Sequence, residues 1–246
     1  MAAMLGADAL AAGSADLLVA GGMESMTNAP YLLQKGRGGY RMGHDKVYDH
    51  MMLDGLEDAY EAGRSMGTFG EDCAAKYNFT RDAQDKFAMA SVQRAQDAIK
   101  NGAFKDEIAP VTVKDRKGER VVDTDEGPGK INIDKIPTLK PAFKKDGTVT
   151  AAASSSINDG AAAMVMMRES TAKKLGVKPL ARIVSHATHA QEPEWFSTAP
   201  IGATETALAK AGWKVDDVDL WEINEAFAVV PMALMHDLKV PHDKVN

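Results

Sequence analysis

The amino-acid sequence predicts an α/β protein in which helices cover both sides of a mixed sheet. Its 246 residues are 45% hydrophobic and 26% charged, which is typical of a globular protein. Apolar stretches of strand length alternate with segments of helical pattern near both ends of the chain. Residues 161–167 form a continuous apolar run, as expected for a central strand whose two faces are both covered.

The first elements are a helix and a strand. Residues 1–12 are rich in Ala, Leu and Met and stop at Gly13, which predicts a helix, and residues 16–20 predict a buried strand. No Ser, Thr, Asp or Asn precedes the helix as a cap, and residues 239–246 add no further element. We therefore expect the fold to be incomplete at both ends.

Residues 27–156 differ from the rest because glycines, charges and prolines replace strand-like runs. Their clearest element is a helix from Thr80 to Asn101, with Thr80 as the N-cap and Gly102 as the stop. This region is predicted to be an insertion of short elements that packs on the main body.

The final third of the chain alternates again between the two kinds of element. We expect a helix that ends at Gly176 and a helix over residues 200–211. Strands are expected over residues 181–186 and 218–223, followed by a last helix over residues 225–238.

Composition excludes several classes of protein. A single cysteine rules out an internal disulfide framework, and a net charge of −6 with scattered basic residues argues against nucleic-acid binding. The longest apolar run is far shorter than the roughly 20 residues that span a bilayer, so no membrane span is expected. The first residues lack the basic region of a signal peptide, which predicts a cytoplasmic protein.

Cys73 is the obvious candidate for a nucleophile, but its surroundings argue against it. It lies in a predicted helix beside Glu71 and Asp72, whose carboxylates would raise the pKa of the thiol and suppress the reactive thiolate. A second candidate site has four residues that could bind a metal, but their spacing fits no common zinc or calcium pattern, which favours a solvated loop. These residues are His44, Asp45, Asp49 and His50.

Three further segments each allow a functional and a structural interpretation. The glycines of residues 36–43 suit either a phosphate cradle or a plain hairpin. Residues 148–160 combine small side chains with three serines, which suits either close approach of an amide-bearing ligand or an ordinary polar loop. Asn224 follows a predicted strand, where it either caps the next helix or donates toward a developing oxyanion.

Five segments, in this order, resemble motifs of the thiolase family across essentially the whole chain. They are GGMESM at residues 21–26, MGT at 66–68, KPAF with GTVT at 140–150, INDGA at 157–161, and NEAFA at 224–228. The resemblance implies a layered thiolase fold with an inserted loop domain. It divides the chain into residues 1–26 of the N-terminal domain, the loop domain at 27–156, the remainder of the N-terminal domain at 157–178, and the start of the C-terminal domain at 179–246.

The resemblance also implies roles for individual residues. The tunnel for the pantetheine arm of coenzyme A would be lined by Met66, Phe143, Ala151, Ser155 and Phe227, with Ser155 bonding the arm. Asn224 would hold the water of the oxyanion hole. Two departures put the acyl-chain preference in doubt: Ser65 stands where a histidine is common, and residues 153–156 read Ala-Ser-Ser-Ser where Asn-Ala-Ser-Gly is usual.

The function implied is reversible Claisen condensation of an acyl-CoA with acetyl-CoA, or thiolysis of a 3-ketoacyl-CoA, by a homodimer or homotetramer without a cofactor or metal. In the family the nucleophilic cysteine precedes the point that matches Met1, and the catalytic histidine and second cysteine follow the point that matches Asn246. We therefore expect this chain alone to be inactive. The alternative is a noncatalytic acyl-CoA-binding or scaffold protein derived from a thiolase, and a third interpretation is an α/β domain of unrelated function.

Overall fold

The computed structural model describes residues 1–116 and 118–246. Over these residues the chain forms two compact units. The first contains Met1–Met66, Ile157–His189 and Gly202–Lys214, and the second contains Gly67–Ser156, Ala190–Ile201 and Val215–Asn246. Each unit is therefore assembled from distant parts of the sequence.

The helices are α1 (Ala2–Ala11), α2 (Met66–Tyr77), α3 (Arg81–Lys100), α4 (Glu126–Lys130), α5 (Glu169–Leu175), α6 (Ala199–Ala211) and α7 (Val229–Leu238). The strands are β1 (Leu17–Ser25), β2 (Tyr31–Leu32), β3 (Tyr48–Asp49), β4 (Val111–Asp115), β5 (Gly118–Val122) and β6 (Asp159–Met167). Within the described ranges, none of these helices is long and apolar enough to cross a membrane.

The first unit is organised around the antiparallel pair β1 and β6, which runs from Leu17 opposite Met167 to Ser25 opposite Asp159. Helix α1 packs on this pair through a small core of Leu10, Ala20 and Met166. The strands approach closely at Gly21, where a side chain would overlap the carbonyl oxygen of Ala162. The predicted first helix is confirmed, and the first strand is present as β1, which continues through the Gly21-Gly22 pair to Ser25. Its predicted burial is wrong, because only Ala20 of the strand is buried.

The strand predicted at residues 161–167 is present as β6, but its predicted burial on both faces is not observed. Of its nine residues only Met166 is buried, and its only described partner is β1. An apolar run permits burial, yet burial itself depends on which elements pack over the strand. In the described residues, α1 covers only part of this sheet.

Two other predicted strands are wrong. Residues 181–186 form neither helix nor strand, and residues 218–223 contribute a single parallel bridge between Trp221 and Val245. Both stretches have apolar side chains suited to a strand, but the described residues supply no neighbouring strand for a full ladder. The helices predicted in this part of the chain are confirmed as α5, which ends at left-handed Gly176, and α6.

The second unit contains the long helix predicted from Thr80. The Thr80 side chain accepts a hydrogen bond from the Ala83 N–H, and α3 buries Phe87, Ala88 and Val92. Past the last turn, Gly102 adopts a positive φ of 71°, a conformation that favours glycine. The predicted cap and stop are therefore confirmed.

The last helix begins later than predicted, at Val229 rather than at residue 225. Residues 224–227 stay outside the helix because backbone groups of this segment bond to another segment instead of to the next helical turn. The Ala228 N–H donates to the Ala153 carbonyl oxygen at 2.9 Å, and the Ala226 carbonyl oxygen accepts from the Ser155 N–H at 3.1 Å. The α/β class is confirmed, while the predicted domain boundaries stay predictions.

Candidate functional site

Two segments that are distant in the sequence pair through their backbones in the second unit. These are residues 150–156, which hold the serines, and residues 224–228, which hold Asn224 and Phe227. Besides the two hydrogen bonds given above, Ser154 and Phe227 form an isolated antiparallel bridge. The pairing brings the serine-rich segment and the NEAFA segment, both predicted from the sequence as site segments, into direct contact.

The serine-rich segment begins with a single turn that is stabilised by hydrogen bonds within the segment. The buried Thr150 caps the short 3-10 helix Ala151–Ala153, and its hydroxyl accepts from the Ala153 N–H at 3.3 Å. The Ser154 hydroxyl donates to the Thr150 carbonyl oxygen at 2.8 Å. Ala151 and Ser155 remain exposed on this turn, so a methyl group and a hydroxyl face a ligand or solvent.

Phe227 anchors an aromatic cluster beside this turn. Its side chain is 8% exposed, and its ring meets the Phe143 ring edge-on, with ring centres 5.8 Å apart. Phe196 lies 6.5 Å from Phe227 and 6.1 Å from Phe69, again between ring centres. Two predicted tunnel residues, Phe143 and Phe227, thus form one apolar wall.

Two glycines of α2 allow this wall to form, and the sequence reasoning missed their role. A side chain at Gly67 would overlap the Phe143 ring, and a methyl group at Gly70 would lie 3.3 Å from the Phe227 ring. Helix α2 therefore packs its backbone directly against the two aromatic rings. Glycines at helical spacing next to the MGT motif were the available signal.

Asn224 is exposed and lies in the irregular segment before α7. The interpretation of Asn224 as a helix cap is wrong, because the N-cap position of α7 is Ala228 and no side chain caps it. The neighbouring Glu222 carboxylate accepts a hydrogen bond from the Asn246 side chain at 2.6 Å. The Asn224 carboxamide is therefore exposed at the start of the second paired segment.

Glu225, next to Asn224, was not predicted as a site residue. Its carboxyl group accepts a hydrogen bond from the Ser91 hydroxyl of α3 at 3.1 Å. Burial is the largest influence and raises the pKa of Glu225 above its usual range, while the bond from Ser91 opposes this shift. The motif therefore carries a carboxyl group that holds its proton to a higher pH than an exposed glutamate does.

Met66 is the first residue of α2 and the last residue of the first unit, whereas the other five predicted site residues belong to the second. Within the second unit, Ala151, Ser155, Phe227 and Asn224 lie on the two paired segments. Phe143 joins them through its contact with Phe227.

Cys73 is fully buried in α2, with 0% of its surface exposed. Burial is the main reason that the pKa of its thiol is raised, and Asp237 adds to the rise, while a bond with Ser197 and the charge of Lys76 oppose it. The predicted direction is confirmed, but the predicted cause was wrong because Glu71 and Asp72 are not among the groups responsible. A neutral, buried thiol is a poor nucleophile.

Three of the four residues considered as a metal site have partners elsewhere, and the Asp49 carboxylate accepts from the Met51 N–H at 2.9 Å. Asp45 pairs with Lys35 at 2.8 Å, and His50 pairs with Asp54 at 2.8 Å. Over residues 1–116 and 118–246, no group of three or more His, Cys, Asp or Glu side chains is arranged to hold a metal ion. The glycines of residues 36–43 lie in turns within the loop between the paired strands β2 and β3.

Together these features define an α/β protein with a small-residue turn, an aromatic wall and an exposed carboxamide around one backbone pairing. The family model described as "Thiolase, N-terminal domain" matches residues 1–170, and "Thiolase, C-terminal domain" matches residues 177–246. The chain belongs to the thiolase family.

Individual relatives agree with this assignment. A "Probable acetyl-CoA acetyltransferase" of Dictyostelium discoideum is 49% identical over 246 residues, which are 100% of this chain and 59% of that protein. An "Acetyl-CoA acetyltransferase" of Chromobacterium violaceum is 48% identical, over 98% of this chain and 62% of that protein. The crystal structure of the Bacillus anthracis acetyl-CoA acetyltransferase matches with a TM-score of 0.94 and 39% identity, over 100% of this chain and 62% of that one. The chain thus spans about three fifths of the length of these relatives.

Proposed function

We propose that this chain carries the acyl-CoA-binding part of an acetyl-CoA C-acyltransferase. The reaction is the reversible Claisen condensation of an acyl-CoA with acetyl-CoA, or the thiolysis of a 3-ketoacyl-CoA. The names of the related proteins, which are acetyl-CoA acetyltransferases, support this proposal. The observation that carries it is the backbone pairing between residues 150–156 and 224–228, because it joins an exposed hydroxyl, an apolar wall and an exposed carboxamide.

In this proposal the pantetheine arm of the thioester lies along the turn at residues 151–155. Phe143 and Phe227 offer apolar surface to the methylene groups of the arm. The methyl group of Ala151 lets the arm approach the backbone closely, and the Ser155 hydroxyl bonds one of its amides. An apolar wall with few polar groups is typical of a site for a flexible amide-bearing ligand.

Asn224 is proposed to hold a water molecule that donates to the thioester oxygen. As a nucleophile attacks the carbonyl carbon, negative charge develops on that oxygen, and a donor placed in advance stabilises it. Loss of one oxyanion-hole donor typically lowers the rate by about 10² to 10³. The exposure of Asn224 supports this role, and its carboxamide is not engaged as the cap of α7.

Acyl transfer in this family begins when a cysteine thiolate attacks the thioester and the thiolate of CoA leaves. In thiolysis the thiolate instead attacks the 3-keto carbon of a 3-ketoacyl-CoA, the bond between C2 and C3 breaks, and the departing acetyl-CoA enolate takes a proton at its α-carbon. The thiol of CoA then takes the acyl group from the cysteine. We propose that Cys73 does not serve as this nucleophile, since its thiol is buried and its pKa is raised.

The remaining proposals concern the substrates, the cellular compartment and the assembly. CoA thioesters enter as substrates, and neither another cofactor nor nucleic acid is needed. A cytoplasmic homodimer or homotetramer is supported by the single cysteine, which suits a reducing compartment, and by exposed apolar side chains such as Met42 and Tyr60. Sedimentation of the purified chain tests the assembly, and a purely monomeric species would contradict it.

One pair of measurements tests the main proposal. Isothermal titration calorimetry with acetyl-CoA is expected to show saturable binding to the 246-residue chain. A thiolysis assay with acetoacetyl-CoA and CoA is expected to give equal background rates for the chain and for Cys73→Ala. Absence of binding would overturn the proposal, and turnover that is lost in Cys73→Ala would overturn the assignment of Cys73.

A further inference from the structure

A buried carboxylate on α2 contacts the segment that leads into the candidate site. Glu71 is 7% exposed, and among the described residues no lysine or arginine pairs with it. Burial of an unpaired carboxylate is costly unless hydrogen bonds compensate for the lost water. At Glu71 that compensation comes from a different part of the chain.

The carboxylate accepts hydrogen bonds from two consecutive backbone N–H groups. The Thr148 N–H lies 2.8 and 2.9 Å from its two oxygens, and the Val149 N–H lies 2.9 Å from Oε1. The Thr148 hydroxyl lies 3.2 Å from Oε2. Bonds to a charged acceptor are stronger than neutral ones, so this contact fixes the path of residues 148–149.

Residues 148–149 sit between the two parts of the candidate site. Val149 precedes Thr150, which caps the turn that presents Ala151 and Ser155. The Val149 carbonyl oxygen accepts from the Ala142 N–H at 2.9 Å, next to Phe143. A shift of residues 148–149 would therefore move both the serine turn and the aromatic wall.

Helix α3 holds the same region from two other points. The Gln84 side chain donates to the Thr148 hydroxyl at 2.9 Å, and the Arg81 guanidinium donates to the Leu139 carbonyl oxygen at 2.8 Å. Arg81 is itself fixed by Asp85 at 2.8 Å. The segment that carries Phe143 is thus anchored on both of its flanks.

Gly147 is a second feature of the sequence that suits the contact between Glu71 and residues 148–149. A side chain at position 147 would overlap the Glu71 carboxylate. Only glycine leaves room for the carboxylate to reach the two N–H groups beyond it. The glycine of the GTVT motif and the glutamate after MGT therefore form one arrangement.

We infer that Glu71 is a positioning residue for acyl-CoA binding, because its buried carboxylate holds residues 148–149 and thereby sets the serine turn and Phe143. The inference rests on the proposed function of those residues. Glu71 does not touch the substrate. It acts through the backbone of Thr148 and Val149.

The first test measures the contact itself and does not depend on the proposed function. Amide hydrogen exchange by NMR is compared between the 246-residue chain and Glu71→Ala. Protection of the Thr148, Val149 and Ala142 amides is expected to fall by about tenfold or more, since a charge-assisted acceptor is lost. Unchanged protection at these amides would overturn the inference.

The second test measures the consequence for binding, as the dissociation constant of acetyl-CoA. Glu71→Ala and Gly147→Ala are expected to weaken binding by about tenfold, and Glu71→Gln by less, because its amide oxygen still accepts from the two N–H groups. Val92→Ala, a core variant of α3, is the control for lost stability and is expected to bind like the parent chain.

The outcomes separate two kinds of failure. If the parent chain binds no acetyl-CoA, the proposed function fails, while the exchange experiment still tests the contact. If the parent chain binds and Glu71→Ala binds equally well, the positioning role is wrong. A loss in Val92→Ala equal to that in Glu71→Ala would also contradict it, because general destabilisation would then explain both.

Discussion

The β1–β6 sheet and the site in the second unit are stabilised in opposite ways. The sheet has a regular ladder of nine residue pairs, yet most β6 side chains are exposed. The site has almost no regular structure, yet the Glu71 carboxylate and the Thr150 hydroxyl are hydrogen-bonded, and Val149, Thr150 and Ala153 are buried beneath it. Regular backbone therefore does not identify the best-packed part of this molecule.

The difference indicates where substitutions act. In the sheet, backbone bonds survive a change of side chain, so exposed positions should tolerate substitution. Around the site, the path of the backbone depends on particular side chains, including Thr150, Glu71 and Gln84. Single changes there should alter both stability and binding.

Removal of Phe227 should have the largest effect on the free energy of unfolding. Truncation of a buried phenylalanine typically costs about 3 to 5 kcal/mol, and Phe227→Ala also removes the contact with Phe143. Denaturant titration provides the measurement. The control Val165→Ala lies on the sheet at 63% exposure and should change stability by less than about 0.5 kcal/mol. Equal losses in the two variants would contradict the contrast between the regions.

Removal of the Ser155 hydroxyl should have a smaller effect, limited to binding. One neutral hydrogen bond contributes about 1 kcal/mol, so Ser155→Ala should weaken acetyl-CoA binding about fivefold and leave the unfolding midpoint unchanged. Ser170→Ala removes an exposed hydroxyl from the first unit and is the matched control. Unaltered affinity in Ser155→Ala would remove Ser155 from the proposed site.

Substitution of Glu225 should have the smallest effect on stability, and this effect should depend on pH. Because burial raises the pKa of Glu225 in the folded state, the folded chain binds more protons there than the unfolded chain does. Its contribution to stability is therefore present below the ordinary pKa of glutamate and is lost as the pH rises through the raised value. Glu225→Gln should gain stability relative to the parent chain between about pH 4 and pH 7, measured by thermal unfolding. A constant difference across this range would contradict the raised pKa.

Local signals in the sequence predicted the helices well. The ends of α3 were marked by Thr80 and Gly102, and the end of α5 was marked by Gly176. These signals are local because capping and left-handed glycine depend on a few neighbouring residues. The strands at residues 181–186 and 218–223 failed because strand formation needs a partner, and periodicity carries no information about one.

The site was predicted through its motifs rather than through its geometry. No local sequence pattern indicates that residues 224–228 pair with residues 153–155. This pairing is the reason that α7 begins later than predicted. The roles of Gly67, Gly70 and Glu71 were likewise hidden, because each depends on a residue at least 70 positions away: Phe143, Phe227 and residues 148–149. Family resemblance supplied the candidates, and the fold supplied their contacts.

The central claim is that CoA thioesters bind at the paired segments and not at the sheet. NMR titration of the 246-residue chain with acetyl-CoA tests it most directly. We predict saturable chemical-shift changes for the amides of residues 151–155 and 224–227, with the β1 and β6 amides unchanged. Shifts confined to β1 and β6, or none at all, would contradict it.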